Sequence, residues 1–448
     1  MAYFVTGATG FIGSNLLPKL FKRKGKIYVL VRSGSKKKLN ALLEKLNAPK
    51  GRVIAITGDL TKNNLGVSKK NRDELKGKIN HMFHLAAIYD MSASLEQQEA
   101  ANIGGTRSAI AFAEAVNAKC FHHTSSIAAA GLYNGVFRED MFDEAEGLDN
   151  PYFKTKHESE GVVRRECQVP WQIYRPAMVL GHSQTGEIDK IDGPYYFFKL
   201  IQKMRKMLPA WMPTLGLEGG RLNMVPVDYV VDAMDYIAHT KGQHGKCFHL
   251  TDPKPLKIGQ VLNIFAKAGH APQMTMRIDA RIFNFIPNTL KQGLMMLSPV
   301  RRIRSQVMNE LGIPPGVLSF INYPTRFDNR ETAKVLKGTD IKVPDLRKYA
   351  WRLWDYWERH LDPDLFIDHS LHGRVSGKKI LVTGASSGIG QATAIMLGRA
   401  GAHVILVARG MEKLLETQKM MKKEKSKTSL YTCDLSDMKS ADKLVKDV

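Results

Sequence analysis

The chain has 448 residues, enough for two or three domains that each bury a core. Hydrophobic residues make up 44% and charged residues 24%, which is typical of soluble globular proteins. The formal net charge of +23 favours polyanionic partners such as phosphate-rich ligands or anionic lipid. No nucleic-acid-binding motif occurs, so nucleic acid is not expected as a partner.

The cysteines and the first residues indicate a cytoplasmic protein. Four cysteines are scattered without a CxxC pair, which argues against a disulfide framework and a zinc site. The opening stretch, MAYFVTGATG, lacks a basic leader followed by an apolar run, and no run of about 18 apolar residues occurs. We therefore expect no signal peptide, no membrane span and no metal.

Strands and helices alternate from the start of the chain. Apolar stretches predict strands in residues 2–7, 27–32, 52–60, 81–87, 120–126 and 171–176, with helices in residues 11–23 and 37–46. This alternation predicts an α/β fold of the Rossmann type, in which a doubly wound parallel sheet is covered by helices on both faces.

A glycine-rich turn follows the first predicted strand and opens the first helix. One glycine permits the tight turn, one lets the backbone approach a pyrophosphate, and one lets helix and strand pack closely. The helix N-terminus then favours the negative charge of the phosphates. The motif predicts a dinucleotide site at Gly7, Thr9, Gly10, Phe11, Ile12 and Gly13.

The end of the second predicted strand distinguishes the two nicotinamide cofactors. An acidic residue there binds the ribose 2′-hydroxyl, whereas a basic residue accommodates a 2′-phosphate. This strand ends in Arg32 and Ser33 and offers no Asp or Glu, so we predict NADPH. The lysines at 36–38 are mostly interpreted as a solvated loop.

A tyrosine and a lysine follow at helical spacing. Tyr152 and Lys156 are four apart, which places both side chains on one helix face. A lysine ammonium is expected to lower the pKa of a nearby tyrosine, which could then protonate a carbonyl oxygen during hydride transfer. This spacing is common by chance, but the pair follows a strand that ends in Ser126, whose hydroxyl could hold the substrate oxygen.

Beyond about residue 185 the alternation gives way to other patterns. Residues 193–217 are rich in aromatic residues, Met and Pro and could line an acyl channel or form an ordinary core patch. Residues 281–321 mix apolar clusters with arginines, which suits either a lid or membrane-contacting helices or a helical subdomain with its own core. We expect a mostly helical substrate subdomain here.

A second strand, glycine turn and helix begin near residue 376, after a predicted linker at 360–375. Its second strand ends in Arg409, which again suggests NADPH. The expected cofactor residues are Gly384, Ser387, Gly388, Ile389, Gly390, Arg409, Asp434 and Leu435. We expect an incomplete second Rossmann unit of two or three strands with one open edge, which should be marginally stable.

Several stretches occur in the order found in an extended short-chain dehydrogenase/reductase, and the chain resembles that family over residues 1–250. They are the first glycine turn, Gly58-Asp59-Leu60, His84-Leu85-Ala86-Ala87, Asn102-Ile103-Gly104-Gly105-Thr106, the Ser126 strand, Tyr152-xxx-Lys156 and Tyr174-Arg175-Pro176. Further stretches, including YRPAMVLGHS, DGPYYFFK, RLNMVPVDYVVDA and FINYPTRFD, resemble the bacterial two-domain fatty acyl-CoA reductases that form alcohols.

This resemblance implies a role for each matching residue. Tyr152 would donate the proton, Lys156 would tune it and bind the nicotinamide ribose, and Ser126 would orient the carbonyl. Asn102 would support a proton relay. The remaining cofactor contacts would be Asp59 and Leu60 beside the adenine, Ala86 and Ala87 in the cofactor cleft, Pro176 behind the nicotinamide, and Val179 in the same site.

The resemblance also implies a function and a domain order. We expect a reductase domain in residues 1–260, a substrate or lid region in 261–359 and a truncated second reductase domain in 376–448. The expected reaction is NADPH-dependent reduction of a long-chain acyl-CoA, a fatty aldehyde or both to the alcohol. Charge alone suggests that Arg301, Arg302 and Arg304 meet coenzyme A phosphates.

Two alternatives stay open: another carbonyl substrate, such as a nucleotide sugar or sterol, or an NADPH-binding regulatory module without turnover. Peripheral membrane contact and a homo-oligomer are also open.

Overall fold

The computed structural model describes residues 1–87, 94–189, 191–279, 323–422 and 426–448. Residues 281–321, with Arg301, Arg302 and Arg304, lie outside this part, so the expectations for that segment stay predictions. The chain divides into two units, Met1–Leu361 and Asp362–Val448.

The strands of the first unit are mostly short. They are β1 (Ala2–Thr6), β2 (Lys26–Val31), β3 (Val53–Thr57), β4 (His81–His84), β5 (Phe121–Thr124), β6 (Val136–Phe137), β7 (Trp171–Pro176), β8 (Met178–Leu180), β9 (Thr214–Glu218), β10 (Arg221–Leu222), β11 (Met224–Pro226), β12 (Lys246–Leu250), β13 (Leu256–Lys257), β14 (Met274–Asp279) and β15 (Arg326–Phe327).

The helices of this unit flank the strands. They are α1 (Phe11–Phe21), α2 (Lys36–Lys45), α3 (Lys69–Leu75), α4 (Leu95–Gln98), α5 (Gly105–Ala115), α6 (Pro151–Glu166), α7 (Phe198–Met207), α8 (Val227–His239), α9 (Ile258–Ala268), α10 (Arg330–Leu336) and α11 (Ala350–His360). Shorter turns of helix include a π segment at Glu99–Gly104 and 3-10 segments at Ile127–Ala130 and Gly193–Phe197. Among the described residues, no helix is both long enough and apolar enough to cross a membrane.

Seven strands form a wholly parallel sheet in the order β12-β7-β5-β4-β1-β2-β3. The strand order reverses between β1 and β4, the kind of switch point at which open α/β sheets bind ligands beyond the carboxyl ends of their strands. The predicted strands and the doubly wound α/β fold are confirmed.

Helices cover both faces of this sheet because successive strand residues point to opposite sides. On β1, Tyr3 and Val5 join the core that includes Leu16 and Leu20 of α1, whereas Phe4 joins the core beneath Phe112 of α5. The strand β1 is therefore packed on both faces, which fixes the position of the glycine turn that follows it.

A third core supports the substrate side of the first unit. Tyr195, Phe198 and Ile201 pack there with Trp354 and Trp357 of α11. The structure thus assigns these aromatic and apolar residues of segment 193–217 to an ordinary core patch. They do not line a channel, because their side chains are buried in the third core, where Phe198 of α7 contacts α9 and α11.

The second unit contains three parallel strands in the order β16 (Lys379–Thr383), β17 (His403–Ala408) and β18 (Lys427–Thr432). Its helices are α12 (Leu371–Val375), α13 (Gly388–Arg399), α14 (Met411–Lys422) and α15 (Met438–Asp447). The strand count agrees with the expected half of a Rossmann unit. Within the described ranges, β16 pairs only with β17, so its other edge is open.

Candidate active site

A cavity of about 430 Å³ lies at the carboxyl ends of β1, β5 and β7. It joins the glycine turn to the tyrosine and lysine of α6. The predicted residues that line it are Gly7, Gly10, Phe11, Ile12, Gly13, Ala87, Ser126, Tyr152, Lys156, Pro176 and Val179. The predicted residues that it does not bring to the lining are Thr9, Arg32, Ser33, Asp59, Leu60, Ala86 and Asn102.

Two of the three glycines in the turn, Gly7 and Gly13, have no room for a Cβ. Gly7 has a φ of +72°, and a Cβ there would lie 2.7 Å from the backbone nitrogen of Ala86. A Cβ on Gly13 would lie 2.3 Å from the carbonyl oxygen of Gly7, so this glycine lets α1 start directly on the turn. The backbone of Ala86 is itself held by a 3.3 Å hydrogen bond from its N–H to the Thr6 hydroxyl. This bare, rigid cradle at a helix N-terminus fits a dinucleotide pyrophosphate.

Two charged residues lie at the ends of β2 and β3, where the adenosine end of a dinucleotide would reach. The Asp59 carboxylate accepts hydrogen bonds from the Thr61 amide at 3.0 Å and hydroxyl at 2.9 Å. These bonds, followed by the charge of Arg32, lower the pKa of Asp59. Arg32 itself is exposed beyond β2. A fixed carboxylate and a neighbouring guanidinium could contact a ribose and its 2′-phosphate.

Tyr152 is positioned by the first turn of α6. The Asn150 side chain caps this helix by accepting a 2.9 Å hydrogen bond from the Tyr152 amide. The Tyr152 hydroxyl is hydrogen-bonded to Ser126, and burial raises the pKa of Tyr152, with the charge of Asp192 acting in the same direction. The expectation that Lys156 lowers this pKa is therefore wrong for this arrangement, because desolvation dominates. Tyr152 carries its proton at neutral pH, as a proton donor requires.

Lys156 lies one helical turn further along the same face. Its ammonium donates to the Thr124 carbonyl oxygen at 3.4 Å, at the end of β5. Burial lowers the pKa of Lys156 to about 8, although the carboxylate of Glu160 opposes this shift. The lysine therefore titrates near physiological pH.

The two serines after β5 point to different partners. Ser126 caps the short helix at Ile127–Ala130, because its hydroxyl oxygen accepts from the Ala128 amide at 3.2 Å. The Ser125 hydroxyl donates to Glu160 at 2.7 Å and so ties the end of β5 to α6. Ser126 is left facing the cavity beside Tyr152.

Glu160 is a residue of this site that sequence reasoning missed. It forms a fully buried ion pair with Arg175, in which both side chains are 0% exposed and the closest N–O distance is 2.6 Å. Arg175 also donates to His249 at 3.1 Å and to the Met141 carbonyl oxygen at 2.9 Å. The sequence spacing could have identified Glu160, because it follows Lys156 by four residues and so lies on the same helix face.

Asn102 lies in the π segment, buried outside the cavity lining. Its side-chain amide donates to the Thr155 hydroxyl at 3.4 Å, and that hydroxyl donates to the Tyr152 carbonyl oxygen at 3.3 Å. Asn102 thus contacts the back of α6. Its role in a proton relay stays a prediction.

Sequence reasoning also missed most of the substrate side of the cavity. This side is lined by Met178, Ile188, Asp189, Asp192, Gly193, Arg221, Leu222, Asn223, Tyr323, Thr325, Arg326 and Phe327. Most of these residues fall in the stretches YRPAMVLGHS, DGPYYFFK, RLNM and FINYPTRFD, which were noted for their resemblance without individual roles. These residues come together in the cavity from loops and from the short strands β8, β10 and β15. No periodicity in the sequence predicts that they meet.

The second unit repeats the pairing of an arginine and an aspartate after its second and third strands. Asp434 accepts from the amide and hydroxyl of Ser436 at 3.0 and 2.8 Å, and these bonds, followed by the charge of Arg409, lower its pKa. Gly384 has a φ of +63°, but nothing lies within 4 Å of a Cβ placed there. In the second turn, therefore, no described backbone atom approaches Gly384 as closely as the Ala86 backbone approaches Gly7. The other predicted residues, Ser387, Gly388, Ile389, Gly390 and Leu435, surround this open turn or follow Asp434.

Within the described ranges, no group of three or more His, Cys, Asp and Glu side chains could hold a metal ion.

Two family models match the chain. Residues 5–234 match the NAD-binding family described as Male sterility protein, and residues 378–448 match the short chain dehydrogenase family.

Two of the similar proteins are reductases that this chain covers to different extents. Glycine betaine reductase ATRR of Emericella nidulans is 27% identical over 99% of this chain and 36% of that protein. A putative fatty acyl-CoA reductase, CG8306 of Drosophila melanogaster, is 24% identical over 78% of this chain and 82% of that protein. The chain thus spans about a third of the length of the first relative.

Among solved structures, the terminal R domain from the myxalamid PKS-NRPS biosynthetic pathway superposes with a TM-score of 0.63. It is 25% identical and covers 81% of this chain and 92% of that one. Similarity to fatty acyl-CoA reductases and to peptide-synthetase reductase domains is therefore established, and the relatives are oxidoreductases.

Proposed function

The chain belongs to the Male sterility protein family, and we propose that it is an NADPH-dependent reductase of fatty acyl thioesters, fatty aldehydes or both, forming the alcohol. One observation carries this proposal: Ser126, Tyr152 and Lys156 line the same cavity as the glycine turn. A hydride donor bound on that turn and a proton donor on α6 would therefore face one carbonyl group.

NADPH would be held by the glycine turn at its pyrophosphate and by Arg32 at its 2′-phosphate. When bound, it supplies a hydride to the substrate carbonyl carbon. The preference for NADPH rests on the exposed guanidinium of Arg32, which suits a 2′-phosphate. Substitution of Arg32 by Ser should raise the KM for NADPH and leave the KM for NADH nearly unchanged.

The side chains of this site do the remaining chemistry. The Ser126 hydroxyl donates a hydrogen bond to the carbonyl oxygen and stabilises its developing negative charge. Tyr152, which burial keeps protonated, transfers its proton to that oxygen, and Lys156 stabilises the resulting phenolate. With an aldehyde one such cycle forms the alcohol. With a thioester the first cycle forms a C–H bond and breaks the C–S bond, releasing thiol and aldehyde.

The substrate side of the cavity offers groups that suit both parts of an acyl-CoA thioester, its acyl chain and its phosphates. Met178, Ile188 and Leu222 offer apolar surface for an acyl chain. Arg221 and Arg326 add exposed guanidinium groups to the lining, and guanidinium binds phosphate well. Substitution of Arg326 by Gln should raise the KM for acyl-CoA and leave the KM for the matching aldehyde unchanged, since only the former carries phosphate.

The full chain should be tested with NADPH and either a long-chain acyl-CoA or the matching aldehyde, following NADPH oxidation. We expect Tyr152→Phe to lower kcat by about a hundredfold or more, whereas Tyr236→Phe, on α8 outside the cavity, should match the parent. Oxidation with aldehyde alone assigns the second step to this site. No oxidation with either substrate would overturn the lipid assignment.

A second candidate substrate is a short aldehyde or thioester that bears a quaternary ammonium group. Asp189 and Asp192 line the cavity together with Tyr323 and Phe327, and cations bind to carboxylates and aromatic faces. The similarity to a glycine betaine reductase over 99% of this chain points the same way. Comparison of kcat/KM for betaine aldehyde and a long-chain aldehyde distinguishes the two candidates.

We further propose that residues 1–260 form the catalytic domain, 261–359 the substrate region and 376–448 a second cofactor-binding unit. Residues 360–375 are the proposed linker, whose last residues form α12. The repeated Arg409–Asp434 arrangement supports NADPH binding by that unit. NADPH binding by Gly7→Ala protein, measured by calorimetry, would show whether a second site remains.

A further inference from the structure

The end of α7 carries an exposed apolar surface. We call residues 203–213 the α7 tip. Within it, Met207 is 79% exposed and Trp211 is 80% exposed, and Pro209, Ala210 and Pro213 are exposed around them. Met207 and Trp211 are four residues apart in the sequence, and exposed apolar patches mark interaction surfaces.

The geometry of α7 explains why these side chains face outward. Phe198 and Ile201 turn the inner face of the helix into the third core. At 3.6 residues per turn, Lys203 and Met207 fall on the opposite face. The helix ends at Met207, and Pro209 prevents its continuation, so Trp211 follows in a turn in which the Met212 amide donates to the Pro209 carbonyl oxygen at 3.0 Å.

A neighbouring strand enlarges the surface. β14 runs beside β9, which follows the tip directly, and Met276 lies opposite Leu215 in that register. Met276 is 65% exposed. A third large apolar side chain is therefore exposed on the strand that pairs with the residues following the tip.

The sequence segment that contains the tip carries charge of one sign. From residue 193 to residue 217 the chain contains four basic residues, Lys199, Lys203, Arg205 and Lys206, and no acidic residue. Lys203, Arg205 and Lys206 all lie within the tip, and Arg205 forms an ion pair with Glu358 of α11. The whole chain has a net charge of +23, so the surface suits an anionic partner.

We propose that the α7 tip docks the protein on an anionic lipid surface. Trp211 and Met207 enter the boundary between headgroups and acyl chains, where tryptophan is favoured because its ring is apolar and its N–H is polar. Lys203 and Lys206 contact lipid phosphates. The combination of an apolar face and a basic flank is that of interfacial helices, which lie on a bilayer without crossing it.

Sedimentation of the full chain with vesicles tests this proposal. We expect binding to vesicles of equal parts phosphatidylcholine and phosphatidylglycerol, and little binding to phosphatidylcholine alone. The double variant Met207→Ser/Trp211→Ser should weaken this binding about tenfold or more, and Lys206→Gln about fivefold. Trp351→Ser removes an indole that is 53% exposed on α11 and should leave binding unchanged.

Three results would overturn the proposal: no binding to anionic vesicles, binding that the double variant does not weaken, or an equal loss in Trp351→Ser. If the double variant instead loses affinity only for an acidic acyl carrier protein, the tip is a protein-binding surface and the lipid proposal fails. Reduction of a short soluble aldehyde by the double variant should match the parent, so the test is independent of the proposed function.

Discussion

Replacing Glu160 by Gln keeps the volume of the side chain but removes its charge from a buried pair. Arg175 then keeps its guanidinium in a site where both side chains are 0% exposed. Burial alone would favour a neutral Glu160, yet the charge and hydrogen bonds of Arg175, with the charge of Arg164, hold its pKa well below the usual range. The carboxylate is therefore needed in the folded state.

The expected loss of stability follows from this burial. Removing one partner of a buried ion pair typically costs about 3–5 kcal/mol, because the other charge is left without compensation. Domains are commonly stable by about 5–15 kcal/mol, so the loss is a large fraction of the total. The double variant Glu160→Leu/Arg175→Met should recover most of the loss, since apolar pairs of similar volume replace such ion pairs at little cost.

Urea unfolding followed by tryptophan fluorescence measures this effect in the full chain. All five tryptophans lie within Met1–Leu361, so the signal reports on the first unit alone. Glu166→Gln on the same helix breaks the exposed pair with Arg107 and should cost at most about 1 kcal/mol. If Glu160→Gln and Glu166→Gln have equal unfolding free energies, the buried pair does not hold α6 in place.

Three further predictions concern the cofactor turn and two titrating groups. Gly7→Ala should weaken NADPH binding about tenfold or more, because its Cβ would lie 2.7 Å from the Ala86 nitrogen. Gly384→Ala is strained only by its φ of +63° and should lower the unfolding free energy of the second unit by about 1 kcal/mol. Since burial lowers the pKa of Lys156 to about 8, kcat/KM should fall above that pH, and Lys156→Arg should move this limb upward. Burial, with the charge of Lys156, lowers the pKa of His84 to about 3, so the unfolded chain binds a proton that the folded chain does not. The unfolding free energy of the first unit, measured with urea, should therefore fall as the pH decreases from about 6.5, by at most about 1.4 kcal/mol per pH unit from this histidine. The fall should be smaller in His84→Gln, and an unaltered slope would contradict this assignment.

Local sequence patterns were sufficient for six of the seven strands of the sheet, all except β12, and for the core of the site. The strand and helix periods placed β1, α1 and β2, and the glycine spacing identified the turn between them. The spacing of Tyr152 and Lys156 placed both on one face of α6. These features are local, because each depends on the φ, ψ and side-chain directions of residues within two or three turns of one another.

The tertiary structure alone decided which residues meet across the chain. Glu160 of α6 pairs with Arg175 of β7, and Phe327 reaches the cavity from β15, about two hundred residues beyond Ser126. The raised pKa of Tyr152 was predicted in the wrong direction because desolvation depends on everything that surrounds the ring, while the sequence shows only its neighbour four residues away. Burial and long-range packing are properties of the folded chain as a whole, so no local pattern encodes them.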